Sequence, residues 1–210
     1  TFGLTTGTSI ECNLGPLTTI SGIVTMSAAN ARLRVGAVSS VVAAVNCSSA
    51  DGYIYSGAKS DWGGLITLSA AGCSLICENG CDLDGIVISG ARCMVDGGGH
   101  DTLVDGTTAN HAINISHADS DETTVRNISV QTTAAGGGEY DGIVVASGAS
   151  RVTLENIVVK ESDDFGMDIF ADDVSVINCN FIGTHDDEML NLRGERARVI
   201  GNHFGTGAVA

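Results

Sequence analysis

Asp163-Asp164-Phe165-Gly166-Met167-Asp168-Ile169 and Asp186-Asp187-Glu188-Met189-Leu190-Asn191-Leu192 are two copies of one phrase, set 23 residues apart. Each ends in a short alternation of apolar and polar residues, the period of a half-buried strand. Working outward, the same alternation recurs at intervals of about 20 to 30 residues with no helical pattern between, which is how a solenoid is written.

The last three repeats align as three short strands each. The first strand turns Ile143 and Val145, Met167 and Ile169, and Leu190 and Leu192 inward. The second contributes Val152 and Leu154, Val174 and Val176, and Ala197 and Val199; the third contributes Ile157 and Val159, Cys179 and Phe181, and Asn202 and Phe204. Towards the N-terminus the pattern continues through Ile113 and Ile115 with Thr123, Val125, Ile128 and Val130, then Ile86, Ile88, Cys93 and Val95, then Ile66, Leu68, Cys73 and Leu75, with Val24, Met26, Leu33 and Val35 as a looser copy. The expected fold is all-β, a right-handed parallel β-helix of about eight coils. Residues 20–210 form the helix and residues 1–19 lead into it.

Composition agrees with this. There are 28 Gly, one Pro and few aromatics, a mix suited to closely stacked strands with tight corners. The formal charge of −15 argues against nucleic acid and against an anionic membrane surface as partners. No apolar run of about 18 residues is present to span a bilayer. The chain opens on Thr1 and ends on Gly205-Thr206-Gly207-Ala208-Val209-Ala210 with no recognisable cap, so a segment of a longer protein is expected.

Acidic residues concentrate towards the C-terminus. Residues 1–80 hold four Asp or Glu against three Lys or Arg, whereas residues 139–196 hold thirteen against four. With consecutive coils about 4.8 Å apart, Asp141, Asp164 and Asp187 read as one column. Like charges at that spacing repel, so the column implies a bound cation such as Ca²⁺, a protonated carboxyl, or side chains splayed into solvent.

The pattern resembles the right-handed β-helix of the pectin-lyase-like superfamily, which includes pectate lyases, polygalacturonases and phage tailspikes. Asn127, Asn156 and Asn178 recur just before the third strand, as the turn asparagines of that superfamily do. Polygalacturonases also place an Asp-Asp pair before a first strand, as Asp163-Asp164 and Asp186-Asp187 are placed here. Their Gly-His-Gly and Arg-Ile-Lys segments are absent.

The resemblance implies a polysaccharide partner and, for a glycoside hydrolase, Asp164, Asp168 or Asp187 as acid and base. Asp163, Asp186 and His185 would tune them. Asp141, Tyr140, Asn191 and Arg193 are the expected substrate contacts. An inverting pair of carboxyls stands about 6.5–9.5 Å apart and a retaining pair about 5–5.5 Å. A lyase would need a basic proton acceptor, and only Lys160, Arg193, Arg196 and Arg198 lie near the acidic region. The tailspike likeness further implies a homotrimer and a virion or extracellular location. The rival reading is a non-catalytic structural or adhesive trunk whose acids are solvated turn residues.

The seven cysteines are an odd number. They read as small buried fillers, with one or two disulfides such as Cys77 to Cys81 as the alternative. His100, His111 and His117 read as solvated turn residues, and Trp62, Tyr53, Tyr55 and Tyr140 as residues able to stack on sugar rings.

Overall fold

Short strands separated by tight corners repeat along the whole chain in the computed structural model, which describes residues 2–4, 11–106, 111–117, 120–132, 140–183 and 185–205. Among the described residues there is no helix, about 47% of the chain is strand, and the strands pair in parallel as a β-solenoid of about eight coils. The expected right-handed parallel β-helix is what forms. One sheet stacks nine strands, from Phe2–Leu4 and Val24–Met26 through Ile143–Val145 and Met167–Ile169 to Leu190–Leu192. The strands Phe2–Leu4 and Glu11–Leu14, from the expected lead-in segment, already pair into the stack.

The second sheet carries the other two strands of each coil. Its two columns fuse where Thr124–Thr132 and Thr153–Val159 run through the corner without a break. That corner turns on one left-handed residue, Asn127 at φ 54° and Asn156 at φ 53°, with Asn178 at φ 53° in the next coil. Asparagine tolerates this region better than other non-glycine residues because its short amide bonds locally. Here the amides bond along the axis: Asn156 Nδ2 donates to Asn127 Oδ1 at 2.8 Å, and Asn127 Nδ2 donates to Asp96 Oδ1 at 3.1 Å.

Each inward position read from the alternation is buried in the coils up to Phe181, among them Ile66, Ile86, Ile113, Ile143 and Met167, which are fully enclosed. They stack directly, Ile66 on Ile86, Ile86 on Ile113, Ile113 on Ile143, and Ile143 on Met167. Burying one such side chain stabilises the fold by about 1.5–3 kcal/mol relative to exposure. One coil escaped the sequence pattern: Val45–Cys47, Tyr53–Ser56 and Asp61–Trp62. Its inward side chains include Cys47, Ser56 and Trp62, which do not read as an aliphatic alternation. Trp62 is fully buried and donates from Nε1 to Ser56 Oγ at 2.8 Å, so it is a core residue and offers no face to a sugar.

The corner before the third strand is polar, and from Ser60 onward its donors are buried. Thr18, Ser60, Cys81 and Thr102 each donate to the carbonyl oxygen of a turn residue: Gly15, Gly57, Glu78 and Glu78 respectively. Buried turn carbonyls must find donors, and these small hydroxyls and thiols supply them. From Val24 onward, strand starts on the first sheet fall at residues 24, 45, 66, 86, 113, 143, 167 and 190, so the coils lengthen past Ile86 while the strands stay aligned.

Candidate functional site

Asp168 occupies the middle of Met167–Ile169, opposite Val144 in the coil before and Asn191 in the coil after. Alternation turns its side chain away from the core, as the sequence indicates. Even so, the residue is only 5% exposed. Asn191 Nδ2 donates to its Oδ1 at 3.1 Å, and Arg193 Nε lies 3.3 Å from the same oxygen. The guanidinium of Arg193 is half-exposed and lies over the rings of Phe170 and Phe165, 4.5 and 5.6 Å from their centroids. An arginine held over two aromatic faces is pre-set to meet a carboxylate.

Burial pushes the Asp168 carboxyl above the ordinary aspartate range. Arg193 opposes this, the neighbouring Asp141 adds to it, and Asn191 and His111 work against it. Asp141 is 4% exposed. Its Oδ1 accepts from the backbone N–H of Phe165 at 3.0 Å, while His111 Nδ1 stands 3.2 Å from its Oδ2 and 3.0 Å from its backbone nitrogen. One ring nitrogen thus faces both a donor and an acceptor, and its protonation decides which of them it engages. Tyr140 meets the His111 ring edge to face at 6.1 Å. Gly166 lets the coils close up beneath this group, since a Cβ there would stand 2.4 Å from the carbonyl oxygen of Met189.

The site brings together Asp141, Asp168, Tyr140, Asn191 and Arg193 from the expected set, and adds His111, which reads as an ordinary turn histidine in sequence. It does not bring in the doubled acids as one column. The backbone N–H of Gly142 donates to the carbonyl of Phe165, and that of Gly166 to Glu188, so Asp141 is level with Phe165 and Glu188. Asp164 and Asp187 sit one residue further from their strands. The reason is a count: Asp141 precedes Ile143 by two positions, whereas Asp164 precedes Met167 and Asp187 precedes Leu190 by three. Among the described residues no group of three or more His, Cys, Asp or Glu side chains is placed to hold a metal ion. Asp163 and Asp164 are partly exposed, and Asp186 and Asp187 are exposed.

His185 turns inward. Its Nδ1 lies 2.6 Å from Ser162 Oγ, both residues are buried, and Ser162 Oγ donates to the Asp164 carbonyl at 3.2 Å. The buried Nε2 of the ring has no hydrogen-bond partner. Burial lowers the basicity of this ring, so it stays neutral and reaches the acidic pair only through the chain between.

A second outward cluster lies in the N-terminal coils. Arg34 stands over both Tyr53 and Tyr55, 5.7 and 5.5 Å from the ring centroids, and 3.3 Å from Glu11. Tyr55 also donates to Glu78. A cavity of about 270 Å³ beside them is lined by Asn30, Arg32, Arg34, Asp51, Gly52, Tyr53 and Ser74. The facing alternations Arg32-Leu33-Arg34 and Tyr53-Ile54-Tyr55 are the sequence signal for it, visible once the coil containing Val45 is counted.

Comparisons with protein-family models, with curated proteins and with solved structures found no match to this chain. The parallel solenoid rests on its strand pairing alone.

Proposed function

We propose that this β-helix recognises a polysaccharide along the outer face of its C-terminal coils and cleaves it as a glycoside hydrolase. The observation that carries the reading is Asp168: a carboxyl on an outward strand position, buried and raised in pKa, beside a second buried carboxyl at Asp141. A carboxyl whose pKa burial raises keeps its proton to higher pH than an ordinary aspartate, which suits it to give a proton to a leaving oxygen, and a neighbouring carboxylate to activate water or attack the sugar. Arg193 and Asn191 orient Asp168, and the Phe165 and Phe170 rings with Tyr140 offer apolar faces to a sugar. Asp164 and Asp187, with Asp163 and Asp186, flank this group and are proposed as acidic contacts at its rim. The pectin-lyase-like and tailspike resemblance, and with it a homotrimer on a virion or outside the cell, belongs to the same proposal.

A panel of bacterial and plant polysaccharides incubated with the protein tests it. New reducing ends from at least one polymer, lost in Asp168→Asn, are the expected result. No reducing ends and no unsaturated products from any polymer would sink the catalytic reading. The non-catalytic trunk is favoured by a specific observation, the exposure of Asp186, Asp187 and Glu188 as a solvated ridge. For a trunk, Asp168→Asn changes no measurable interaction.

A further inference from the structure

Cys47, Cys73 and Cys93 come from three successive coils and meet inside the corner between the first and second strands. Cys47 ends the strand Val45–Cys47, and Cys73 and Cys93 are level with each other just before Ser74–Cys77 and Met94–Asp96. All three are buried. The sulfurs of Cys47 and Cys73 are 3.1 Å apart although the residues lie 26 positions apart in sequence. Cys73 sits between the other two and interacts with each.

The surrounding backbone is shaped for this contact. Gly52 leaves the room, since a Cβ there would stand 2.2 Å from Cys47 Sγ. Cys73 Sγ is aimed at the Ser49 carbonyl at 3.3 Å and the Cys47 carbonyl at 3.5 Å. The group offers no metal site, as no cluster among the described residues is arranged to hold one. All seven cysteines are free in this structure, and sulfurs this close are placed to oxidise as a pair.

We propose that Cys47 and Cys73 form a disulfide that ties one coil to the next as the protein folds, with Cys93 as the alternative partner of Cys73. The oxidant is a small-molecule disulfide. The Cys73 thiolate attacks one of its sulfurs, forming a mixed disulfide and releasing one small thiolate. The Cys47 thiolate then attacks the Cys73 sulfur and expels the second. Two cysteine protons end on two small thiols, and the two electrons lost by the cysteines are gained by the oxidant. Contact with Cys47 and Cys93 lowers the Cys73 thiol below its ordinary range, whereas Cys47 and Cys93, each bonded to Cys73 and buried, are held above theirs. Cys73, in contact with both others, is the thiol common to either link, and the small-molecule disulfide reaches it while the corner is still open during folding. Attack by Cys93 on the Cys73 sulfur would later displace Cys47 with no net oxidation.

The bond needs about 1 Å of approach between the sulfurs. It closes a loop of one full coil, and a crosslink of that span restricts the unfolded chain substantially.

The test is to refold the full chain from denaturant in a buffer of oxidised and reduced glutathione, block the remaining thiols, and map crosslinked peptides by mass. Expected are five free thiols of the seven and a Cys47–Cys73 peptide. Cys47→Ala moves the link to Cys73–Cys93, Cys73→Ala abolishes both, and Cys77→Ala leaves the link in place. A reductant lowers the Tm of the parent protein by several degrees and leaves that of Cys73→Ala unchanged. Seven free thiols in refolded protein, or a link confined to Cys77–Cys81, overturns the proposal. Should Cys73→Ala fail to fold, the peptide map of the parent decides alone.

Discussion

Arg193 Nε lies 3.3 Å from Asp168 Oδ1, an ion pair in which the carboxylate is buried and the guanidinium is half in solvent. The two ends of the pair therefore answer differently to substitution. Removing Arg193 takes away the partner that lowers the Asp168 pKa, so Arg193→Ala moves the Asp168 titration to higher pH. A carbon-detected NMR titration of the carboxyl reads this directly. A shift to lower pH would contradict the assigned pairing.

Asp168→Asn separates stability from function. A carboxyl whose folded pKa is raised binds its proton more tightly folded than unfolded, so its contribution is full below the unfolded value near 4 and is lost as pH rises through the folded value. At pH 7 the ionised Asp168 therefore opposes folding. Replacing it with the neutral amide raises Tm by about 1–3 °C at pH 7, while saccharide binding or cleavage falls. A Tm drop of that size at pH 7 would show that the pair with Arg193 outweighs burial.

His185 gives the opposite pH signature. Its folded pKa is depressed by burial, so between that value and the unfolded one near 6.5 the unfolded chain carries the extra proton. Its stabilisation is complete above about pH 6.5 and is lost as the pH falls through that window. In thermal melts from pH 7.5 down to pH 5, His185→Gln should lose stability less steeply than the parent. Parallel curves would mean that other groups govern the acid limb.

The corner asparagines offer a test of the fold itself. Asn156→Ala removes the bond to Asn127 and places a Cβ-bearing residue without a local amide at φ 53°, which together cost about 1–3 kcal/mol. Asn156→Gly loses the bond and keeps the backbone freedom, so its urea midpoint should lie between those of Asn156→Ala and the parent. Equal midpoints for the two variants would exclude a backbone contribution.

Trp62 is the sole tryptophan of the chain and is fully enclosed. Its emission should be blue-shifted, resist iodide quenching, and stay unchanged when a saccharide binds. Trp62→Ala should cost about 3–5 kcal/mol. Quenching by saccharide would place a sugar against a residue that the core encloses.

Much of the architecture is legible in sequence because strand burial obeys a period of two. Ile143, Val145, Met167 and Ile169 each take their inward place. The coil of Val45 is missed because a thiol, a hydroxyl and an indole fill its interior. The site is harder to read, since columns depend on counting back from each strand, and one residue of difference in the corner sets Asp141 level with Phe165 and away from Asp164. His111 carries no local signal. Its role follows from a carboxylate 30 residues on that only stacking delivers. Asp168 reads as an outward residue, and the Arg193 side chain that pairs with it leaves no periodic trace.

Strand starts separated by 21, 21 and 20 residues from Val24 to Ile86 widen to 27 and 30 at Ile113 and Ile143, yet Ile86, Ile113 and Ile143 still stack without a slip. The axial step is set by backbone pairing, and chain length between strands is free to change without altering it. Such a scaffold works as a rack of exchangeable cassettes. Segments can be lengthened, trimmed or traded between coils to meet a different ligand while the shelf they sit on keeps its spacing.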